Sequence, residues 1–100
     1  MKKVHSMDSS KILERLTVLN PVLTQLLSEN GLNLDNGYAI TDGNNSYHPY
    51  FSYDKKAETV IVTYYGNGFE IFGEIQIENN TITAHFHTST SKTIQIKHSI

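Results

Sequence analysis

Cysteine and tryptophan are absent from this chain of 100 residues, and proline occurs only twice. Without cysteine there is neither a disulfide framework nor a thiolate metal site, so the fold must rest on packing alone. No apolar run approaches the ~18–20 residues of a membrane-spanning helix. Met1-Lys2-Lys3-Val4-His5-Ser6 opens like a secretory signal, but no apolar run of about seven residues follows the lysines. Positive charge is not in surplus either. The formal net charge is -2 with both signs scattered, which is not the footprint of a protein whose main partner is a phosphate backbone. No Gly-x-Ser-x-Gly elbow is present. Gly66-Asn67-Gly68 precedes no helix, so it reads as a turn and not as a phosphate loop. These absences point to a cytoplasmic, non-enzymatic protein without a cofactor, binding neither nucleic acid nor membrane.

What is present is strong patterning. Ile12, Leu16, Leu19, Leu23 and Leu26 step by four and three, which stacks them on one face of a helix over 8–31. Leu13, Val22 and Leu27 widen the stripe to the breadth a helix needs when it packs on a sheet. Asp8, Ser9 or Ser10 can cap its start, and Gly31 suits its end. Pro21 has no N–H to give to Thr17, and Asn20-Pro21 is also a favourable cap and first-turn pair. The segment is therefore one helix kinked there or two helices split there, with a slight preference for the split. Residues 1–7 read as a flexible tail.

From Leu32 the period changes to two, with turn residues at Asp42-Gly43-Asn44-Asn45, Asp54-Lys55-Lys56, Gly66-Asn67-Gly68, Asn79-Asn80 and Thr90-Ser91. Strands near 37–41, 47–54, 58–66, 69–78, 81–89 and 92–98 follow. The expected fold is one α+β domain over 1–100, its N-terminal helix on one face of an antiparallel meander of about five to six strands.

Two turns set the register. A two-residue type I′ turn at Asn79-Asn80 pairs Ile77 with Ile82, Ile75 with Ala84, Gly73 with Phe86 and Ile71 with Thr88. A two-residue loop at Asn67-Gly68 pairs Gly66 with Phe69, Tyr64 with Ile71, Val62 with Gly73 and Val60 with Ile75. One face then carries Val60, Val62, Tyr64, Phe69, Ile71, Ile75, Ile77, Ile82 and Phe86, extended by Ile94 and Ile96 and by Phe51 and Tyr53. This is the core face. Gly73, between Val62 and Phe86, leaves room for the ring or marks a bend.

The opposite, open face takes Tyr50, Ile61, Tyr65, Glu70, Phe72, Glu74, His85 and His87, with threonines between. Its rows come out as Ile61–Glu74–His85, Thr63–Phe72–His87 and Tyr65–Glu70–Ser89. His85 and His87 project to one side, and with Glu74 they form a weak candidate metal set on a face with no enclosing shell; no metal is expected. Glu70, Glu74 and Glu78 recur at about 13 Å, too wide for a carboxylate pair that works on one glycosidic bond.

An aromatic face with an acidic lining suits a protein partner, one with a basic surface in particular. Tyr47-His48-Pro49-Tyr50-Phe51-Ser52-Tyr53 adds to that surface, and Pro49 marks an edge or bulge. The functional expectation is an inhibitor that blocks another protein: an immunity protein against a toxin, or a phage-encoded inhibitor of a host defence. The alternatives are a ligand-binding domain or enzyme with a pocket between helix and sheet, Tyr38, Tyr53 or Tyr64 at its mouth, and a structural homodimer subunit.

Overall fold

The computed structural model describes the backbone of residues 2–87 and 93–100, and the side chains of residues 10–87 and 93–100. Helix α1 (Lys2–Ser28) is followed by β1 (Asn33–Leu34), β2 (Ile40–Asp42), β3 (Asn45–Asp54), β4 (Thr59–Tyr65), β5 (Ile71–Glu78), β6 (Thr81–His87) and β7 (Thr93–Ser99). The strands form one sheet in chain order with every neighbouring pair antiparallel. The α+β helix-and-meander architecture is as expected, with seven strands. The strand missed by pattern is β1, whose 2 residues are too few to display a period.

Helix α1 is continuous and holds Pro21 inside it, so the chain is not split at Asn20. Both Pro21 and Thr17 are exposed, which places the interrupted hydrogen bond on the wet side of the helix, where it costs least. The helix begins at Lys2, within the segment expected as a tail, so Asp8, Ser9 and Ser10 lie inside it and do not cap it. Leu16, Leu19, Leu23 and Leu27 are buried, with Ile12, Val22 and Leu26 flanking them. Leu13 falls off the stripe and is 63% exposed, against expectation.

The helix ends as its glycine predicts. Gly31 has φ +79, its N–H donates to Ser28 O at 3.0 Å, and Leu32 N–H donates to Leu27 O at 2.9 Å. This is a Schellman motif, and its usual apolar contact is supplied by Leu27 and Leu32, both buried.

The β5–β6 register is as read from Asn79-Asn80: Ile77 pairs with Ile82, Ile75 with Ala84 and Gly73 with Phe86. Of the two asparagines only Asn79 has positive φ, so the turn is not the type I′ that needs both. A Cβ on Gly73 would lie 2.0 Å from the His85 carbonyl oxygen and 2.6 Å from Phe86 Cδ1. The missing side chain makes room first for the neighbouring backbone and then for the ring.

The β4–β5 hairpin departs from expectation in two places. Phe69 N–H donates to Gly66 O at 3.0 Å and Gly66 N–H to Glu70 O at 2.9 Å, so the loop holds three residues, 67–69, where two were expected. A bulge then separates the pairs Tyr64–Gly73 and Tyr65–Ile71. Each departure shifts the pairing by one residue. From Gly73 onward the two add to a whole period, so Ile75 and Ile77 face the core as read, opposite Val62 and Val60. Between loop and bulge the faces are exchanged. Phe72, expected on the open face, is 2% exposed and stacks on Tyr47 at 3.8 Å, with Phe86 at 5.2 Å behind it. Phe69 and Ile71, expected in the core, are 85% and 64% exposed.

The pairings expected for Thr88 and Ser89 and the turn at Thr90-Ser91 lie outside the described residues.

Candidate functional site

Of β3, strand β2 pairs only with Asn45, Ser46 and Tyr47 among the described residues. Beyond them β3 is an edge, and Pro49, which cannot donate to a ladder, sits in that stretch as its presence implied. On the other side β3 pairs His48 with Tyr65 and Tyr50 with Thr63. Tyr65 in turn pairs with Ile71. These registers put His48, Tyr65 and Ile71 in one row of the open face, with Tyr50 in the next, and the Gly66–Phe69 turn projects Phe69 beside them. His48, Pro49, Tyr50, Tyr65, Gly66 and Phe69 line a shallow hollow of about 430 Å³. Tyr50 is 62% exposed at its rim.

The backbone at Phe69 has φ +63. That conformation is uncommon for any residue with a side chain and an outlier for a bulky one, because Cβ crowds the backbone carbonyl. Glycine is the residue such a loop normally uses at this position. Glu70 stiffens the loop: its Oε1 accepts from Gly68 N–H at 2.9 Å. A Cβ on Gly66 would fall 2.0 Å from Glu70 Oε2, so the carboxylate lies over the glycine. Glu70 is therefore folded back onto its own hairpin, not set in a row with Glu74 and Glu78. With Asp42 it makes this end of the sheet acidic, and Tyr47 registers the field: burial first, then Asp42 and Glu70, push its hydroxyl above the usual tyrosine range.

Of the expected site residues, Tyr50 and Tyr65 lie at this hollow, and Glu70 belongs to the loop above it. Ile61, Glu74, His85 and His87 lie farther along the same face, Ile61 opposite Ser52 and Gln76, and Glu74 opposite Thr63 and His85. The row containing His85 is thus Thr63–Glu74–His85–Gln95, not the expected Ile61–Glu74–His85. Phe72 is not at the site at all. It is the middle ring of a core stack, removed from the open face by the bulge. Phe69 and Ile71 are the residues that sequence reasoning missed. Ile71 and Phe72 are adjacent apolar residues, either of which could face inward, and only the bulge decides between them.

Tyr64, proposed for the mouth of a pocket, lies in the core and donates its hydroxyl to Tyr38 O at 2.7 Å. A separate open groove of about 480 Å³ runs between α1 and the β1–β2 loop, lined by Ile12, Leu13, Leu16, Asn36, Gly37, Tyr38 and Phe51. Phe51 shares a face with Val62 but is not covered by the helix, and it meets Tyr38 edge-on at 6.2 Å. Among the described residues no group of three or more His, Cys, Asp or Glu could hold a metal ion, and no helix is long and apolar enough to cross a membrane.

No family model, curated protein or solved structure matches this chain. Its own geometry carries the functional reading.

Proposed function

We propose that this chain is a small non-enzymatic protein-binding domain that docks onto another protein through Tyr50, Tyr65, Phe69 and Ile71. The observation that carries the reading is Phe69: a bulky aromatic held at φ +63 with almost all of its ring in water. A residue in that backbone conformation costs about 1–2 kcal/mol relative to glycine. Packing of the ring does not offset the cost, since Phe69 is exposed. A strained, outward aromatic beside Ile71 and two tyrosines has the composition of an interface anchor, and such clusters carry most of the energy of protein association.

Within this class the reading is an inhibitor that covers a functional surface of its partner, of the kind used by immunity proteins against toxins or by phage proteins against host defences. What supports it is a short scaffold presenting its anchor on a braced hairpin. The carboxylates of Asp42 and Glu70 at this end of the sheet favour a basic partner surface.

The test uses Phe69→Asp and Ile71→Lys in the full chain. Both should melt as the parent does, and each should weaken binding to the purified partner at least about 30-fold, the loss typical of an anchor residue. Undiminished binding by both variants would remove the hairpin end from consideration. Sedimentation at micromolar concentration separates the structural homodimer: a doubled mass that Ile71→Lys abolishes would make the partner a second copy of this chain.

A further inference from the structure

A second cluster on the open face is a pair of histidines. His85 and His87 lie on β6 with one residue between them, so both rings project from the same side of the sheet. Their Nε2 atoms are 3.1 Å apart, and the ring centroids 4.6 Å apart, the planes inclined at 67°. A divalent ion at the usual ~2.0–2.1 Å from each nitrogen would subtend an angle of roughly 100°, between the octahedral and tetrahedral values. Two exposed histidines have many rotamers in which the nitrogens stand well apart; this pair converges on one point.

Gln95, directly across the strand pair from His85, supports the convergence. Its side-chain amide lies 3.3 Å from His85 Nδ1, which fixes the ring from behind. With an amide N–H donating to Nδ1, His85 carries its proton on Nε2 and donates it to His87 Nε2. Turned half over, the same amide offers Oε1 to an Nδ1–H, and both Nε2 lone pairs become free for a metal. The change is a tautomeric one and releases no net proton. An outer partner on the rear nitrogen is the usual companion of a metal-ligating histidine. Glu74 lies opposite His85, but its carboxylate accepts from the Gln76 amide and does not join the pair.

We propose that His85 and His87 chelate a single first-row divalent cation of the borderline class served by imidazole, with Gln95 as positioning residue and the remaining coordination positions open. Imidazole nitrogen favours copper(II), nickel(II) and zinc over magnesium and calcium. The open positions make this a site for an exchangeable ion, or one that a further ligand completes. It shares no residue with the hairpin hollow and does not depend on the docking reading.

The experiment is titration of the metal-free full chain with zinc, nickel(II) and copper(II). Proton NMR follows the imidazole signals for zinc, calorimetry gives stoichiometry, and electron paramagnetic resonance counts nitrogens on copper. The expected result is one ion per chain, copper bound more tightly than zinc, ring signals of His85 and His87 moving together, and two equivalent nitrogens on copper. His85→Ala or His87→Ala should each reduce affinity more than Gln95→Leu, for which a loss of about tenfold is expected. His98→Gln should leave binding intact. All of these residues are partly or fully exposed, and metal-free melts of the variants should match the parent. Ring signals unmoved at millimolar zinc, or binding undiminished when both histidines are replaced, would overturn the site. The pair would then be a hydrogen bond and nothing more.

Discussion

In the hairpin that joins β1 to β2, Tyr38 N–H donates to Asp35 O and Asp35 N–H donates to Ala39 O, each at 3.0 Å. The hairpin that joins β4 to β5 repeats the pattern with Phe69, Gly66 and Glu70. Both loops place an aromatic residue in the left-handed region, Tyr38 at φ +68 and Phe69 at φ +63. Both are braced by a carboxylate: Asp35 Oδ1 accepts from Gly37 N–H at 2.8 Å and Ala39 N–H at 2.9 Å, while Glu70 Oε1 accepts from Gly68 N–H at 2.9 Å. They differ in what the aromatic residue does. Tyr38 is half-buried, meets Phe51 edge-on, and its carbonyl takes the Tyr64 hydroxyl. Phe69 turns its ring to water. The same backbone strain is thus absorbed by internal packing in one loop and left uncompensated in the other, and that asymmetry is why the second loop reads as a binding element.

The comparison can be broken most severely at the bulge that accompanies the Phe69 loop. Phe72→Ala should cost about 3–5 kcal/mol, because it opens a hole between Tyr47 and Phe86, whereas Ile71→Ala should stay within about 0.5 kcal/mol. Denaturant melts of the two variants check this. The reverse order would restore the unbulged register and return Phe72 to the open face.

Substitution by glycine at the two left-handed positions should give opposite signs. Tyr38→Gly should destabilise by about 1–2 kcal/mol, since the ring's partial burial outweighs the relaxed backbone. Phe69→Gly should stabilise by up to about 1 kcal/mol, because strain is relieved and no packing is lost. Destabilisation by Phe69→Gly would mean that its ring is packed after all, and the contrast would fail.

The smallest effect concerns the bond that ties the first loop to the core. Burial first, then Asp35 and Tyr38, hold the Tyr64 hydroxyl above the usual tyrosine range. The unfolded chain therefore loses this proton first, near pH 10, so the contribution is intact below that and declines as pH rises, by about 1.4 kcal/mol per unit. Tyr64→Phe should cost about 1 kcal/mol at neutral pH and lessen the alkaline decline. Thermal melts from pH 8 to pH 11 measure both; an unchanged alkaline slope would show that the hydroxyl is not held as described.

The Asn79-Asn80 turn was legible because turn chemistry and alternation of apolar residues agree on one register. Asn67-Gly68 carries an even stronger hairpin signal and misleads. The left-handed residue is neither of them but Phe69, which no propensity would choose, so the three-residue loop cannot be seen in advance. The bulge at Tyr64 and Tyr65 is equally silent. Since the two shifts sum to a full period, the reading of Val60, Val62, Tyr64, Ile75 and Ile77 as core survives them. The candidate site does not, because it lies where the shifts have not yet cancelled. Pro21 misled in the other direction: its cost depends on which side of the helix it occupies, and the stripe of leucines already placed it opposite the core.

The order of the strands has a kinetic consequence. Each strand pairs with the one just before it in the chain, so among the described residues every hairpin closes across a short turn. The entropy of bringing partners together is then small at each step, and the sheet can grow strand by strand without waiting for a distant segment. The docking of α1 brings together residues much farther apart in the chain, as where Arg15 donates to Asn79 O. A protein assembled this way should refold quickly for one so rich in β-structure, with the covering of the sheet by the leucines of α1 as its slowest event.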